Sequence, residues 1–155
     1  MVRRRADQRL TPLLDADLHS LHRAGWCPLP QRLTGAADGL VLSPAAPVAR
    51  LWRGKVFDSG PGNTVSGLNR IGLGSIELRR YRFTARTSRS LFADRDVLIL
   101  DHDRPNNPSY IRRFHDELVQ IDAERFLATS HYRVQDRWRF LCFFALLIPE
   151  VPGTA

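Results

Sequence analysis

Hydrophobic and polar positions alternate along most of the chain from residue 51 onward, with the two-residue period of a β-strand. The firmest segment is 75–85, whose apolar members are Ile76, Leu78, Tyr81 and Phe83. Similar patterns predict further strands at 52–57, 65–71, 96–101, 115–121, 125–133 and 137–147. This part of the protein is therefore expected to be a β-sheet.

The joints between these predicted strands are short and rich in turn residues. The segment 59–63 contains two glycines and a proline, and 103–108 contains two prolines and two asparagines. This composition predicts a surface turn at 103–108 rather than a helix. Short joints between consecutive strands favour an up-and-down antiparallel meander, which must close or be covered to protect its edges.

The N-terminal third carries a different pattern. Residues 1–9 are basic and are predicted to be a disordered tail. A single helix should follow, with Thr11 as its N-cap, Pro12 at its first position and Gly25 after its end. Residues 26–47 are rich in Pro, Gly, Ala and Ser, which predicts an extended loop. Residues 10–150 are expected to form a single domain.

Seven strands and one helix predict a mainly β fold, an antiparallel up-and-down β-barrel with one N-terminal helix. A barrel of about eight strands can hold one small ligand. The alternative is a curved open sheet wrapped around helices. That architecture usually places two or three helices before its sheet, whereas this chain predicts one, so the barrel is favoured.

The chain has 155 residues and a formal net charge of +7, which comes almost entirely from arginine because Lys55 is the only lysine. A basic protein favours anionic partners. The arginines are spread along the chain, however, and many alternate with apolar strand residues, which indicates a solvated outer face. Because no recognition motif for nucleic acid is present, nucleic acid is the least favoured partner.

The sequence also bears on the compartment. No apolar run reaches the roughly 18 residues of a membrane span, and the basic N-terminus has no apolar segment of a secretory signal behind it. These patterns predict a cytoplasmic protein with no membrane partner. Cys27 and Cys142 are accordingly expected to be free thiols.

Strand periodicity divides the polar groups of 112–121 between two faces. One face ends in two aliphatics and is predicted to be interior: it carries His115, Glu117, Val119 and Ile121. An imidazole beside a carboxylate is a workable acid–base pair. The alternative is a structural ion pair of these groups with a nearby arginine.

Further polar groups are expected at the mouth of the barrel. Asp101 and His102 follow a strand that is apolar on both faces, so they should lie at the rim. Asp101 could instead cap the turn that follows it. The small Ser130 leaves room either for a ligand or for an aromatic side chain of the next strand. Three aromatic residues should be at least partly buried: Trp52, Phe83 and Trp138.

Metals and cofactors are not indicated. His19 and His22 lie at helical spacing beside two aspartates, but no third ligand accompanies them, so no metal site is predicted. The chain contains no dinucleotide fingerprint, phosphate loop or nucleophile-elbow motif. We therefore expect a protein that needs no cofactor.

Several short motifs resemble those of bacterial lipocalin-like barrel proteins over residues 48–148. They are Trp52-x-Gly54-Lys55-x-Phe57, Leu98-Ile99-Leu100-Asp101, Asp116-Glu117-Leu118 and a Phe-rich final strand. The resemblance implies a lipocalin-like barrel. His102 and His115 stand where the family pattern has an aromatic residue and an arginine, and two additional imidazoles are groups that could transfer protons.

These observations favour a cofactor-independent enzyme, a cyclase, isomerase or lyase that acts on a small hydrophobic natural-product intermediate of bacterial secondary metabolism. His115 and Glu117 would be the acid–base pair, with Asp101 as a third catalytic candidate. Lys55 or Arg80 would stabilise developing oxyanion charge. The other residues expected to bind substrate are Trp52, Phe57, His102, Ser130, His131 and Tyr132.

Two other functions remain open on the sequence. One is a non-catalytic small-molecule carrier with the same barrel, and the other is a basic nucleic-acid-binding module. For the enzyme and for the carrier, the ligand would be a small hydrophobic or anionic organic molecule. A homodimer is compatible with each of them.

Overall fold

The computed structural model describes residues 5–44 and 47–150 and shows a closed antiparallel barrel of eight strands. Each strand pairs with the next along the chain, and the last pairs with the first. The mainly β barrel predicted from the alternation is therefore confirmed. The strands are β1 (Gly35–Ser43), β2 (Trp52–Ser59), β3 (Val65–Leu73), β4 (Ile76–Arg89), β5 (Asp96–Asp101), β6 (Phe114–Gln120), β7 (Arg125–Val134) and β8 (Arg137–Leu147).

The strand that closes the barrel lies where a loop was predicted. β1 falls within 26–47, and its glycines and alanines have low intrinsic preference for a strand. It forms because both of its edges find partners: Gly35 to Asp38 pair with β2, and Asp38 to Ser43 pair with β8. The loop prediction was wrong for this segment because tertiary pairing outweighs local propensity.

The N-terminal segment is also more structured than predicted. It forms α1 (Arg5–Leu10), a 3₁₀ turn over Thr11–Asp15 and α2 (Leu18–Ala24) instead of a single helix. The break occurs because the Asp17 side chain accepts the Ser20 amide at 3.2 Å and so starts a new helix. Helix α1 replaces the disordered tail predicted for residues 5–9, since Leu10 is buried against the barrel. Residues 1–4 of that predicted tail lie outside the described residues.

None of the helices in the described segments is long and apolar enough to cross a membrane.

Apolar side chains form two cores. The inner core draws on all eight strands and comprises Leu33, Ala37, Phe57, Val65, Phe83, Ala85, Leu98, Leu100, Leu118, Phe126, Ala128, Phe144, Leu146 and Ile148. The outer core lies between the barrel wall and the N-terminal helices and comprises Leu10, Leu13, Leu18, Leu42, Val97, Ile99, Val119, Leu127, Phe143, Ala145 and Leu147. Strands β5 to β8 are consequently buried on both faces along part of their length.

The inner core does not fill the whole barrel. Much of it gathers at one end, where Phe57 lies near the end of β2 and Val65 and Phe126 lie near the starts of β3 and β7. The opposite half, beside Pro44, Ala49 and the segment 102–113, contains a cavity. The turn predicted at 103–108 is confirmed, as it contains no helix. The aromatic prediction is also confirmed, with Phe83 fully buried and Trp52 and Trp138 partly buried.

The closure between β1 and β2 gives a testable prediction at Gly54. Its φ is +132°, and a Cβ there would lie 2.0 Å from the carbonyl oxygen of Ala37. Gly54→Ala should therefore lower the free energy of unfolding by about 2 kcal/mol, measured by urea denaturation. Gly74→Ala is the control, because Gly74 also has a positive φ but open space around it, and it should lose about 1 kcal/mol. Equal losses would contradict the close approach of the two strands.

Candidate site: a polar cluster in an apolar cavity

The cavity has a volume of about 510 Å³ and lies inside the barrel. Most of its wall is apolar, and its polar groups come from β2, β3, β4, β6, β7, β8 and the residue after β5. The side chains that line it are Val41, Pro44, Ala49, Trp52, Lys55, Asn69, Ile71, Tyr81, His102, Ile111, Phe114, Asp116, Ser130, Leu141, Cys142 and Phe144.

Lys55 is the centre of the polar cluster. Its Nζ donates to Asn69 Oδ1 at 2.8 Å and lies 3.4 Å from His102 Nε2. It also lies 3.6 Å from Asp116 Oδ2, which makes an ion pair between two side chains that are each almost completely buried. Since an isolated buried charge is very unfavourable, the two groups must stabilise each other.

The hydrogen-bond pattern indicates the tautomer of His102. Its Nε2 faces two donors, Lys55 Nζ and Asn69 Nδ2, the latter at 3.3 Å. The Asn69 amide is oriented by its other contacts, because Nδ2 also donates to the Tyr81 carbonyl and Oδ1 accepts from Trp52. Nε2 therefore acts as the acceptor, and the proton of the neutral ring is on Nδ1. Burial, together with the Lys55 charge, lowers the pKa of His102 to about 4.

Local backbone features hold the cluster in place. The Asn107 side chain donates to the His102 and Arg82 carbonyls at 2.8 and 2.7 Å, which ties the segment after β5 to β4. A bulge in β4 leaves Tyr81 opposite no single residue of β3, with a φ of +65°. Bulges redirect side chains, and here the Tyr81 side chain lines the cavity.

Two buried polar atoms of the cluster have no hydrogen-bond partner among the described residues: His102 Nδ1 and Asp116 Oδ1. Nδ1 lies 4.0 Å from Asp116 Oδ2, too far for a hydrogen bond. Both atoms are shielded from solvent, so a polar group of a ligand would pair with them only after a small rearrangement of the cluster.

The ammonium group of Lys55 also faces aromatic rings. Its Nζ lies 4.6 Å from the ring centre of Phe83, 5.5 Å from that of Phe144 and 5.9 Å from that of Trp52. The ring faces attract a cation. Burial nevertheless lowers the pKa of Lys55, and the nearby Asp116 carboxylate counters only part of that effect.

The face predicted to be interior in β6 is the outer face. Phe114 and Asp116 line the cavity and Leu118 lies in the inner core, whereas Val119 belongs to the outer core. His115 and Glu117 therefore point away from the cavity. The rule that aliphatic residues mark the interior was wrong here because the N-terminal helices bury the outer face as well.

His115 and Glu117 do form the predicted pair, with His115 Nε2 2.8 Å from Glu117 Oε2. Glu117 also accepts hydrogen bonds from the Ser90 hydroxyl and the Leu91 amide, so it anchors the loop between β4 and β5. Burial alone would raise the pKa of Glu117, but the hydrogen bonds from these partners outweigh it and lower the pKa. The geometry assigns this pair to the outer layer of the protein.

Two more histidines join that outer layer. His22 Nε2 lies 3.0 Å from the Glu117 carbonyl oxygen, and the His131 ring stacks on Phe92 with 3.9 Å between ring centres. Burial lowers the pKa of both His22 and His131. His131 and Ser130 were both predicted to bind substrate, but the structure separates them. His131 lies outside the barrel wall, whereas its neighbour Ser130 lines the cavity.

The other predicted site residues are dispersed. Trp52, Lys55 and His102 line the cavity, although His102 was expected at the rim and is instead buried within it. Asp101 accepts the Asp103 amide at 2.9 Å, in agreement with the alternative that it caps the turn. Three residues do not line the cavity: Phe57 belongs to the inner core, Arg80 is exposed, and Tyr132 packs against Phe114.

Sequence reasoning missed Asn69, Tyr81, Asp116 and Cys142 as cavity residues. The available signal for Asp116 was its position between Phe114 and Leu118 on one face of β6. Cys142 is a free thiol whose pKa burial raises to about 11, so it is a weak nucleophile at neutral pH. No cluster of potential metal ligands is found among the residues that the structure describes.

The role of Glu117 can be tested by removing its side chain. Glu117→Ala should lower the free energy of unfolding by about 1–3 kcal/mol, because the Ser90 hydroxyl and the Leu91 amide lose a charged acceptor. It should also increase trypsin cleavage in the loop that contains Arg95. His115→Ala keeps both of those hydrogen bonds and serves as the control. Equal cleavage in the two variants would contradict the anchoring role.

Comparisons with known proteins give information about the fold only. No family model matches the chain, and no curated protein matches it. The crystal structure of a protein from Thermomonospora curvata is similar to 94% of this chain and 99% of that one, with a TM-score of 0.57 and 16% sequence identity. At that identity the likeness shows a shared fold and does not bear on activity.

Proposed function

We propose that the protein binds a neutral, largely apolar organic molecule inside the barrel, through one hydroxyl or carbonyl group of that molecule. The observation that carries the proposal is the buried polar cluster of Lys55, His102 and Asp116 in an otherwise apolar cavity, where His102 Nδ1 and Asp116 Oδ1 have no hydrogen-bond partner among the described residues. A hydroxyl group can accept from the first atom and donate to the second. A carbonyl group can accept from His102.

The size of the cavity supports a binding role. The cavity has a volume of about 510 Å³ and is partly open to solvent, so it is a pocket and not a sealed void. The space is therefore suited to solvent or a ligand rather than being a defect in packing. Its volume lies within the range of small-molecule sites. The resemblance of residues 48–148 to lipocalin-like barrels points the same way at the level of the fold.

The charges in the cavity favour a neutral ligand over an anionic one. Among the described residues that line the cavity, Lys55 and His102 are the only basic side chains, and Asp116 already lies 3.6 Å from Lys55. An anionic ligand would have to displace or approach the Asp116 carboxylate in a medium of low dielectric constant. The exposed arginines, including Arg80, cannot compensate because they lie outside the barrel.

Two fluorescent probes with the same aromatic body test this preference. N-phenyl-1-naphthylamine is neutral, and 8-anilinonaphthalene-1-sulfonate carries an additional sulfonate. The neutral probe should bind at least roughly tenfold more tightly, as a difference of about 1.4 kcal/mol would produce. Ser130→Phe should abolish binding by filling the cavity, and Arg80→Ala should not alter it. Tighter binding of the sulfonate, or binding that survives Ser130→Phe, would refute the proposal.

Acid–base catalysis on the bound molecule is a second candidate, favoured by the position of two proton-exchanging groups at one apolar cavity. Asp116 would serve as the base, and neutral His102 would donate a hydrogen bond to developing negative charge. The cyclase, isomerase or lyase hypothesis thus moves from His115 and Glu117 to His102 and Asp116. With a substrate in hand, His102→Ala should lower turnover by roughly 10²-fold or more, and His115→Ala should not. The reverse result would return the chemistry to the outer pair.

A further inference from the structure

We propose that Lys55 forms a reversible imine with an apolar aldehyde that enters the cavity. This inference rests on the proposed function, because the aldehyde must first occupy the binding site. It adds a substrate class and a covalent step to that function. Lys55 would be the residue that forms the bond, and His102 and Asp116 would assist it.

The identity of the residue at position 55 is the first argument. The chain carries 23 basic residues, and the only lysine among them lines the interior cavity. A guanidinium group stays protonated and does not form imines, whereas a lysine amine does so when it is neutral. The protein therefore has a single side-chain amine, and it lies where a small molecule would be held.

Burial increases the neutral fraction of Lys55. Its side chain is 2% exposed, so its ammonium form is poorly hydrated. Desolvation in an apolar pocket lowers the pKa of a lysine, and Lys55 is shifted in that direction. A larger fraction of the amine is therefore unprotonated and nucleophilic at neutral pH than for a lysine in water.

The reaction balances without an oxidant or a reductant. The neutral Nζ attacks the carbonyl carbon, and the carbonyl π electrons move to oxygen to give an alkoxide. One proton then moves from nitrogen to that oxygen and gives a carbinolamine. Loss of its hydroxyl group, with one further proton, releases water and leaves the C=N bond. Hydrolysis reverses each step.

Asp116 and His102 are placed to assist this sequence. Asp116 Oδ2 lies 3.6 Å from Lys55 Nζ, so a small approach of the two groups would let it take a proton from the nitrogen and return it to the leaving hydroxyl. The same carboxylate would then be the counter-ion of the protonated imine. The free Nδ1–H of His102 would donate a hydrogen bond to the oxygen as negative charge develops there.

Reductive trapping of the full-length protein tests the inference. The probe is 2-naphthaldehyde with cyanoborohydride at pH 7.5, followed by tryptic peptide mapping. Reduction of the imine should add one naphthylmethyl group to Lys55 and block cleavage after it, so that the peptide 54–70 replaces 56–70. The N-terminal amine is the internal reference for non-specific reaction. Lys55 should be labelled at least tenfold faster, and 2-naphthalenemethanol should compete.

Three variants separate the roles. Lys55→Met combined with Asp116→Asn removes the amine without leaving a buried charge, and it should lose labelling in the barrel. Urea denaturation checks that this variant is folded. His102→Ala should slow labelling of Lys55 by roughly 10²-fold, as expected for loss of an oxyanion donor. His115→Ala is the matched control from the outer face of the barrel and should label at the wild-type rate.

The outcomes distinguish this inference from the function on which it rests. If 2-naphthalenemethanol binds but Lys55 is labelled no faster than the N-terminus, the imine is refuted and the binding function stands. If neither naphthalene compound binds, both are refuted for this class of ligand. If 2-naphthalenemethanol does not reduce the labelling of Lys55, the inference is also refuted, because the reaction would then not take place in the cavity.

Discussion

Replacing Lys55 with methionine should lower the free energy of unfolding by about 3–5 kcal/mol. The substitution keeps the length of the side chain but removes the cation that lies 3.6 Å from the buried Asp116 carboxylate. An unpaired charge in a protein interior is destabilising by about that amount. It also removes the donor to Asn69 and His102. Urea denaturation at pH 7.5 measures the loss.

The second substitution in the pair provides the decisive comparison. Asp116→Asn added to Lys55→Met should recover most of the lost stability, because no net charge remains in the cavity. Arg89→Met is the control for a solvent-exposed ion pair, that of Arg89 with Asp96, and should lose at most about 1 kcal/mol. If the double variant were as unstable as the single one, the lysine would not be compensating the Asp116 charge.

The titration of His102 alone should lower the free energy of unfolding by about 3 kcal/mol as the pH is lowered from 6.5 to about 4. The pKa of His102 is lowered from 6.5 to about 4 in the folded protein, chiefly by burial and also by the charge of Lys55. Between these pH values the unfolded chain binds a proton that the folded protein does not. The contribution of the neutral His102 to the free energy of unfolding is therefore complete above pH 6.5 and is lost as the pH falls toward 4.

Other groups change stability in the same direction. Burial lowers the pKa of His22 and His131, so their contributions are also present above pH 6.5 and decline below it. Glu117 has a lowered pKa as well, so its contribution is present above about 4.5 and is lost at lower pH. The total loss on acidification should exceed that of His102.

Denaturant unfolding at a series of pH values between 4 and 8 checks the prediction. His102→Gln retains an acceptor for Lys55 but does not titrate. The loss of unfolding free energy between pH 8 and 4 should therefore be about 3 kcal/mol smaller in this variant. Ser130→Ala changes the same cavity without removing a titratable group and should leave the slope unchanged. A wild-type slope in His102→Gln would show that the buried imidazole is not the group that takes up the proton.

The repeating pattern of the sequence was enough to locate most of the barrel. Seven of the eight strands lie where the alternation of apolar and polar residues predicts them, and the 103–108 turn follows from its prolines and asparagines. The grouping of residues by face was also right, since alternate residues of β6 do share a side of the sheet. These features depend on local geometry, which the order of residues specifies directly.

The tertiary structure decided which face was inside and which segment closed the barrel. Both faces of β6 are buried because one meets the inner core and the other meets the N-terminal helices, so the sequence could not separate Asp116 from Glu117. β1 carries too few β-forming residues to be recognised alone and depends on its two neighbouring strands. The polar cluster joins Lys55, Asn69, His102 and Asp116 from four parts of the chain, and only barrel closure brings them together. Each of these features depends on contacts between residues far apart in the sequence, which the local alternation of apolar and polar residues does not specify.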